Sequence, residues 1–284
     1  MSWLFLFHFC EMNLVCFNGA TFPADDSLFN AQNRCFRYGD GIFETIKIFQ
    51  GNILLQAYHF ERLFLGLNLL KINAEAISEE KLQHEIVELC RLNDCVSLAR
   101  VRLAFYRDEN NSASYIIEAT KISHNANQLN EVGWITDLYP HARKGQDVFA
   151  NLKTANYLPY VMADVYARDK ALDECLLLNS ENNICDGSKT NVFLIIKNEA
   201  FTPSLNQGCV SGTMRRHIID ELKRGLIPVH QREINERLLM EADEVFLTNA
   251  IQGIRWVQKF RDKTYSNVFV KKFYQKVFAS FYQP

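Results

Sequence analysis

Changes in the period of apolar positions divide the chain into strand-like and helical stretches. "LVCFNGATF" and "GIFETIKIFQGNILL" carry β-branched and aromatic residues around glycine turns, which predicts strands, and Gln50-Gly51-Asn52 in the second reads as a hairpin turn. "YHFERLFLGLNLLKI" then shifts to a helical period, with Phe60, Leu63, Phe64, Leu67 and Leu70 on one face. "SEEKLQHEIVELCRL" predicts a second helix with Ser78 as its N-cap. "SLARVRLAFYR" and "ASYIIEAT" alternate as strands.

The pattern breaks at residues 122–132, "ISHNANQLNEV", a polar, Asn-rich stretch with no period that reads as a linker. A strand, "GWITDLY", follows, and the chain reaches Lys153 before the next helix. Asn156 is a candidate cap for that helix, and Pro159 is tolerable in its first turn. Leu158, Val161, Met162, Val165 and Tyr166 mark its apolar face. Strands "ECLLLN" and "TNVFLII", a helix from Ser211 closing at Gly225, a strand "EVFLTNA" and an amphipathic helix "SNVFVKKFYQKVFASF" complete the order. The expectation is a mixed α/β (α+β) protein of two domains, residues 12–121 and 133–284. Residues 1–11, "MSWLFLFHFCE", are apolar but lack a positive n-region and a small-residue cleavage site. They read as an extension from a misassigned start, or as a poorly ordered arm.

Composition narrows the function. A net charge of -2 supplies no basic field for nucleic acid or an anionic membrane, so any anion must be held by a local site. No segment is long and apolar enough to cross a bilayer. The eight cysteines form no C-x-x-C pair, which predicts free thiols and a reducing cytoplasm. The seven histidines make no H-x-x-x-H pair, which argues against a zinc site.

Five short stretches could carry chemistry, and each has a bland alternative. Lys153 is either a solvated cation or a lysine that forms a Schiff base. Ser211-Gly212-Thr213 either caps an ordinary helix or opens an anion site, because free N–H groups and the helix dipole favour negative charge there. Asp186, in "NNICDGSKTNVFLI", is either part of a hairpin turn or a buried carboxylate facing a protonated ring nitrogen. Arg62, in "HFERL", lies on an amphipathic helix where most arginines are solvated or paired. Thr248-Asn249-Ala250 ends a strand, as turns and sites both do.

Together these stretches follow a known order. The series R-Y-G-D-G-x-F-E-T, H-x-x-R-L, K-T-x-N-Y, D-G-S-x-x-N-x-F, G-T-M-R and A-D-E-V-F-L-T-N-A resembles the fold-type IV pyridoxal-phosphate enzymes. These include branched-chain amino acid aminotransferases, D-amino acid aminotransferases and 4-amino-4-deoxychorismate lyases. The likeness runs from about Asn13 to the end of the chain. It implies a two-domain fold like that of D-amino acid aminotransferase, with pyridoxal 5'-phosphate as cofactor, a small-molecule substrate and a homodimer.

Carried over by residue, the resemblance implies that Lys153 bonds to the cofactor. Arg62, Thr213, Met214 and Thr248 contact its phosphate. Asp186 stands where the family usually has Glu, opposite the pyridine nitrogen, and is one methylene shorter. "FLTNAIQGI" looks more like the lyases, which give 4-aminobenzoate and pyruvate on the folate route; "GDGIFETI" suits the lyases too, but D-amino acid enzymes and some aminotransferases share it. In that reading Thr45 assists proton transfer to the leaving group, and Arg107, Asn249 and Ala250 are candidates to bind a substrate carboxylate. Two alternatives stand beside it: a branched-chain aminotransferase using 2-oxoglutarate, and a non-catalytic scaffold of the same fold.

Overall fold

The structure, a computed structural model, describes residues 13–278, 281 and 282. The expected extension over residues 1–11 lies outside them. Strands β1 (Leu14–Phe17), β2 (Ala20–Pro23), β3 (Gly41–Phe49), β4 (Asn52–Ile53), β5 (Leu98–Arg107) and β6 (Ala113–Lys121) form one antiparallel sheet. Their order is β2-β1-β6-β5-β3-β4. The hairpin at Gln50-Gly51 forms as its residues predict, with φ of 48° and 76° at the two turn positions.

Helices α1 (Arg34–Tyr38), α2 (Gln56–Leu69) and α3 (Glu79–Leu92) belong to this half. Ser78 caps α3 by accepting from the Lys81 N–H, as expected. The core between sheet and helices holds Phe60, Leu63 and Leu67 of α2, Leu82, Ile86 and Leu89 of α3, and Ile46, Ile48, Val101 and Leu103 of the strands. Alternation along β3 and β5 then turns Thr45, Lys47, Arg100 and Arg102 to the opposite face, where Thr45 pairs with Arg102 and Lys47 with Arg100.

Between β6 and the next strand the chain makes a short 3-10 turn, His124–Asn127. The second sheet contains β7 (Trp134–Lys144), β8 (Glu174–Asn179), β9 (Ile184–Gly187), β10 (Asn191–Ile196), β11 (Glu199–Pro203), β12 (Val229–Arg232), β13 (Glu244–Asn249), β14 (Gly253–Phe260) and β15 (Lys263–Thr264). Its order is β12-β11-β10-β13-β14-β7-β8-β9, with β15 on β14. The sheet is mixed: β7 runs parallel to β8 and β14, and β11 runs parallel to β12.

The helices that accompany it are α4 (Leu158–Asp169), α5 (Thr213–Arg224), α6 (Glu236–Glu241) and α7 (Val268–Phe278). Ile218 and Leu222 of α5 and Val270 and Phe273 of α7 pack on Phe193, Phe246 and Trp256. Ile234 and Leu239 cover the other face against Val245 and Val257.

Helix α4 departs from its sequence pattern. It buries Tyr160, Ala163 and Ala167 against β7 and β8, while Leu158, Val161 and Met162 are exposed. The two alanines, four residues apart, form the close-packing part of that face, and the aliphatic side chains fall on the outside. Asn156 is not its cap; Tyr157 takes that position and makes no side-chain bond to the helix.

A buried cation ties the two sheets together. Lys47 Nζ donates to Ala126 O at 3.0 Å, to Ile251 O at 2.7 Å and to Tyr282 Oη at 3.1 Å. Burial, aided by Arg255, pushes its ammonium down to about 7. One side chain of β3 thereby fixes the chain after β6, the turn after β13 and the end of the chain.

Candidate active site

Between the sheets lies a cavity of about 430 Å³. Thr45, Arg62, Lys153, Asp186, Thr213, Met214, Thr248, Asn249 and Ala250 all line it. Their motifs are spread along the chain, and the fold brings them to one cavity.

Lys153 does not end a strand. β7 stops at Lys144, and Lys153 sits in an extended link that the first sheet pins. Its carbonyl accepts from the Phe43 N–H at 2.9 Å, Ala155 donates to Gly41 O at 2.9 Å, and Ile42 bridges Thr154. The ammonium rests 4.6 Å from the centre of the Phe43 ring and 5.0 Å from that of Tyr157, with Tyr157 Oη at 3.5 Å. Burial, reinforced by the Arg62 cation, lowers it to about 8. At neutral pH a useful fraction is therefore neutral amine, the form that attacks a carbonyl.

The anion site is built on α5. Gly212 is its N-cap, and no side chain caps the helix. The first-turn N–H groups at Thr213 and Met214 are thus left for a ligand in the cavity. A Cβ on Gly212 would stand 1.8 Å from Asn191 Oδ1, so any side chain there would force Asn191 to move. Arg62 borders the same turn and donates to Ser211 O at 2.9 Å.

Arg62 is itself held by Glu44, which also receives His59 Nδ1 at 2.6 Å. His59 Nε2 reaches Thr213 Oγ1 at 3.5 Å. Burial alone would raise the Glu44 carboxyl, but Arg62 and His59 outweigh it and hold the group at about 2. Burial lowers His59 against the pull of Glu44. The sequence reading did not single out Glu44 or His59. Both lie inside or beside the motifs, in "GDGIFETI" and "HFERL", with His59 one helical turn before Arg62.

Asp186 is buried at the end of β9. Oδ2 accepts from Lys144 Nζ at 3.1 Å, Tyr160 Oη at 2.7 Å and the Val210 N–H at 2.9 Å, and Oδ1 accepts from Asn191 Nδ2 at 2.8 Å. Glu174 fixes the turn that follows by accepting from the Ser188 N–H and the Thr190 hydroxyl, and burial raises its carboxyl. Tyr160 stacks on Tyr157, ring centres 4.2 Å apart, so Asp186 and Lys153 share an aromatic wall.

Of the candidates, Arg107 is the one placed elsewhere. The Thr248 hydroxyl donates to Gly253 O at 2.7 Å, which closes its own turn while it lines the cavity. Arg107 is not in this cavity. It lies at the end of β5 and donates to Asp40 at 3.0 Å, to Leu70 O at 2.7 Å and to Lys71 O at 2.9 Å. Those carbonyls close the C-terminal end of α2 and attract a cation. Besides Arg62, the arginine that lines the cavity is Arg100, on the same face of β5 as Arg102. Its alternation with Ala99 and Val101 in "LARVRL" was the available signal. Among the described residues no cluster of three or more His, Cys, Asp or Glu is placed to hold a metal, and no helix is long and apolar enough to cross a membrane.

The sequence profile of the amino-transferase class IV family matches residues 41–260. The chain belongs to that family. It is a family of pyridoxal-phosphate aminotransferases and lyases, which bears out the expected fold, cofactor and enzyme class. A probable branched-chain-amino-acid aminotransferase of Aquifex aeolicus is 26% identical over 273 residues, covering 90% of this chain and 87% of that one. The aminodeoxychorismate lyase of Bacillus subtilis is 24% identical over 264 residues, covering 89% of each. Among solved structures, the branched-chain aminotransferase of the thermophilic archaeon Thermoproteus uzoniensis, determined with norvaline, superposes with a TM-score of 0.84 at 22% identity over 93% of each chain. Lyase and aminotransferase relatives thus match this class IV chain to nearly the same extent.

Proposed function

We propose that this class IV enzyme is a 4-amino-4-deoxychorismate lyase that releases 4-aminobenzoate and pyruvate. The observation carrying this reading is the polar, cationic wall that Thr45, Arg100, Asn249 and Gln252 give the cavity. Such a wall suits a substrate with two carboxylates better than a branched aliphatic side chain.

The residues fit the cofactor. An uncapped helix start would take the phosphate, a partly neutral lysine the aldehyde, and a buried carboxylate the ring nitrogen. Bound there, pyridoxal phosphate supplies an electron sink. Lys153 would hold the aldehyde end and, as a free amine, take the proton from the amine-bearing ring carbon of the substrate. Thr213 and Met214 bind the phosphate through N–H groups, Arg62 adds charge, and Thr248 supports the turn beside them. Thr45 passes a proton to the departing enolpyruvyl group, which leaves as pyruvate. Arg100 and the N–H groups of Asn249 and Ala250 orient the carboxylates. Aromatisation of the product drives the step, so no amino acceptor is consumed.

The second reading is a branched-chain aminotransferase. It is favoured by the Aquifex aeolicus relative, which aligns over 273 residues. There Lys153 would take and return the proton of the substrate carbon, and 2-oxoglutarate would be the acceptor. In either reading the two sheets correspond to domains of residues 12–121 and 133–284 joined through 122–132. A homodimer would cover Phe36, 86% exposed, and Leu158, 68% exposed. The test gives purified holoenzyme aminodeoxychorismate with no amino acid present. Release of pyruvate and 4-aminobenzoate supports the lyase. No pyruvate, together with conversion of the cofactor to its amine form by leucine or glutamate, replaces it with the aminotransferase.

A further inference from the structure

Asp186 is approached from two sides. Its face toward the cavity meets Asn191, while Lys144 reaches it from a second cleft of about 510 Å³ that Lys144, Tyr157 and Tyr160 line. Lys144 is the last residue of β7, in register with Asn179 of β8, so its backbone is fixed by the sheet. Its ammonium is about as buried as the carboxylate, with side-chain exposures of 10% and 2%. It also donates to Ala150 O at 2.9 Å and lies 5.1 Å from the centre of the Tyr160 ring.

The distribution of donors on the carboxylate is uneven. Oδ2 takes three: Lys144, Tyr160 and the Val210 N–H. Oδ1 takes one, from Asn191. A carboxylate oxygen accepts about two bonds comfortably. Oδ2 is therefore saturated, and Oδ1 keeps room for one more donor.

Other groups around Asp186 leave this picture intact. Lys153 and Arg215 are further cations in its field, but only Lys144 forms an ion pair with it among the described residues. Tyr157, Tyr160, Cys185 and Cys209 all have their acidity suppressed, first by burial and then by Asp186 itself, so they stay neutral.

We propose that Lys144 is a positioning residue that tunes the cofactor: paired with Oδ2 from behind the cavity, it offsets the charge of Asp186 and leaves Oδ1 to the ring nitrogen. The inference rests on the pyridoxal-phosphate reading of the site. Its consequence is that the ring holds its proton less tightly than it would opposite an unpaired carboxylate. A reaction driven by aromatisation of its product tolerates the weaker electron sink that results.

The test reconstitutes the protein with pyridoxal phosphate isotope-labelled at the ring nitrogen and follows that nitrogen by NMR as pH is varied. In Lys144→Met the ring-nitrogen titration should move up by about one pH unit, the effect of removing one nearby cation. Lys144→Arg should restore the wild-type curve. If Lys144→Met does not fold, Lys144→Gln keeps a hydrogen-bond donor, loses the charge and carries the same expectation. Coincident curves for the wild type and the neutral variant overturn the tuning role. A wild-type protein that takes up no labelled cofactor overturns the underlying reading instead.

Discussion

Glu44 grips Arg62 at two points, with Nε 2.7 Å from Oε1 and Nη2 2.5 Å from Oε2. The two residues come from different elements, β3 and α2, and their pairing sets the direction in which the guanidinium meets the start of α5. Replacing Glu44 by Gln leaves a buried cation without its counter-charge, a change that costs about 3 kcal/mol or more. We expect Glu44→Gln to bind pyridoxal phosphate at least about tenfold more weakly, because Arg62 is then free to leave the turn. Titration of the apoenzyme with cofactor measures this. The pH dependence has a definite sign. Glu44 is held at about 2, below its ordinary value of 4.5, so its contribution to stability is present above 4.5 and is lost as pH falls toward 2.

Lys153 gives the same sign in a more alkaline window. Its folded value of about 8 lies below the ordinary 10.5, so between these values the unfolded chain binds the extra proton and stability rises with pH. The same shift governs capture of the cofactor, since only the neutral amine attacks the aldehyde. Stopped-flow mixing of apoenzyme with pyridoxal phosphate should show a rate that climbs about tenfold per pH unit below 8 and levels off above it. A rate still rising about tenfold per unit well above 8 would place the lysine in bulk solvent.

How far the sequence carried depended on the kind of information each feature needs. β8, β10 and β13 were legible because "ECLLLN", "TNVFLII" and "EVFLTNA" are apolar runs bounded by turn residues, and Ser78 was legible as a cap because capping is local. Lys153, Asp186 and Thr213 came from ordered motifs, and the fold gathers them. Helix α4 misled because its aliphatic residues Leu158, Val161 and Met162 point outward, while Tyr160 and two alanines point in. The partners of Asp186 were illegible for another reason. Lys144, Tyr160, Asn191 and Val210 converge on it from four separate segments, and no spacing encodes that.

Gly212 offers a sharper test of the anion site. An added Cβ would stand 1.8 Å from Asn191 Oδ1, and Asn191 also donates to Asp186. Gly212→Ala should therefore disturb both the helix start and the carboxylate. We expect cofactor affinity to fall by about tenfold to a hundredfold, in line with the loss of one or two charge-assisted hydrogen bonds. Far-UV circular dichroism should stay close to wild type, since the backbone at Gly212, with φ of -64°, is open to alanine. A variant that retains full cofactor affinity would move the phosphate site elsewhere.

Arg100 and Arg107 separate substrate binding from stability. Arg100 lines the cavity, and its pairing with Lys47 across β3 and β5 places it on the face turned to the second sheet. Arg107 is tied to Asp40 and to the carbonyls that close α2. Arg100→Gln should raise KM for a carboxylate-bearing substrate by about tenfold to a hundredfold, the value of one charged hydrogen bond, with a much smaller change in kcat. Arg107→Gln should do the reverse. It breaks an ion pair whose side chains are 19% and 17% exposed, so Tm falls while KM holds. Measuring both variants with the same substrate decides the assignment, because a KM effect confined to Arg107→Gln would return the carboxylate to the position first expected from the sequence.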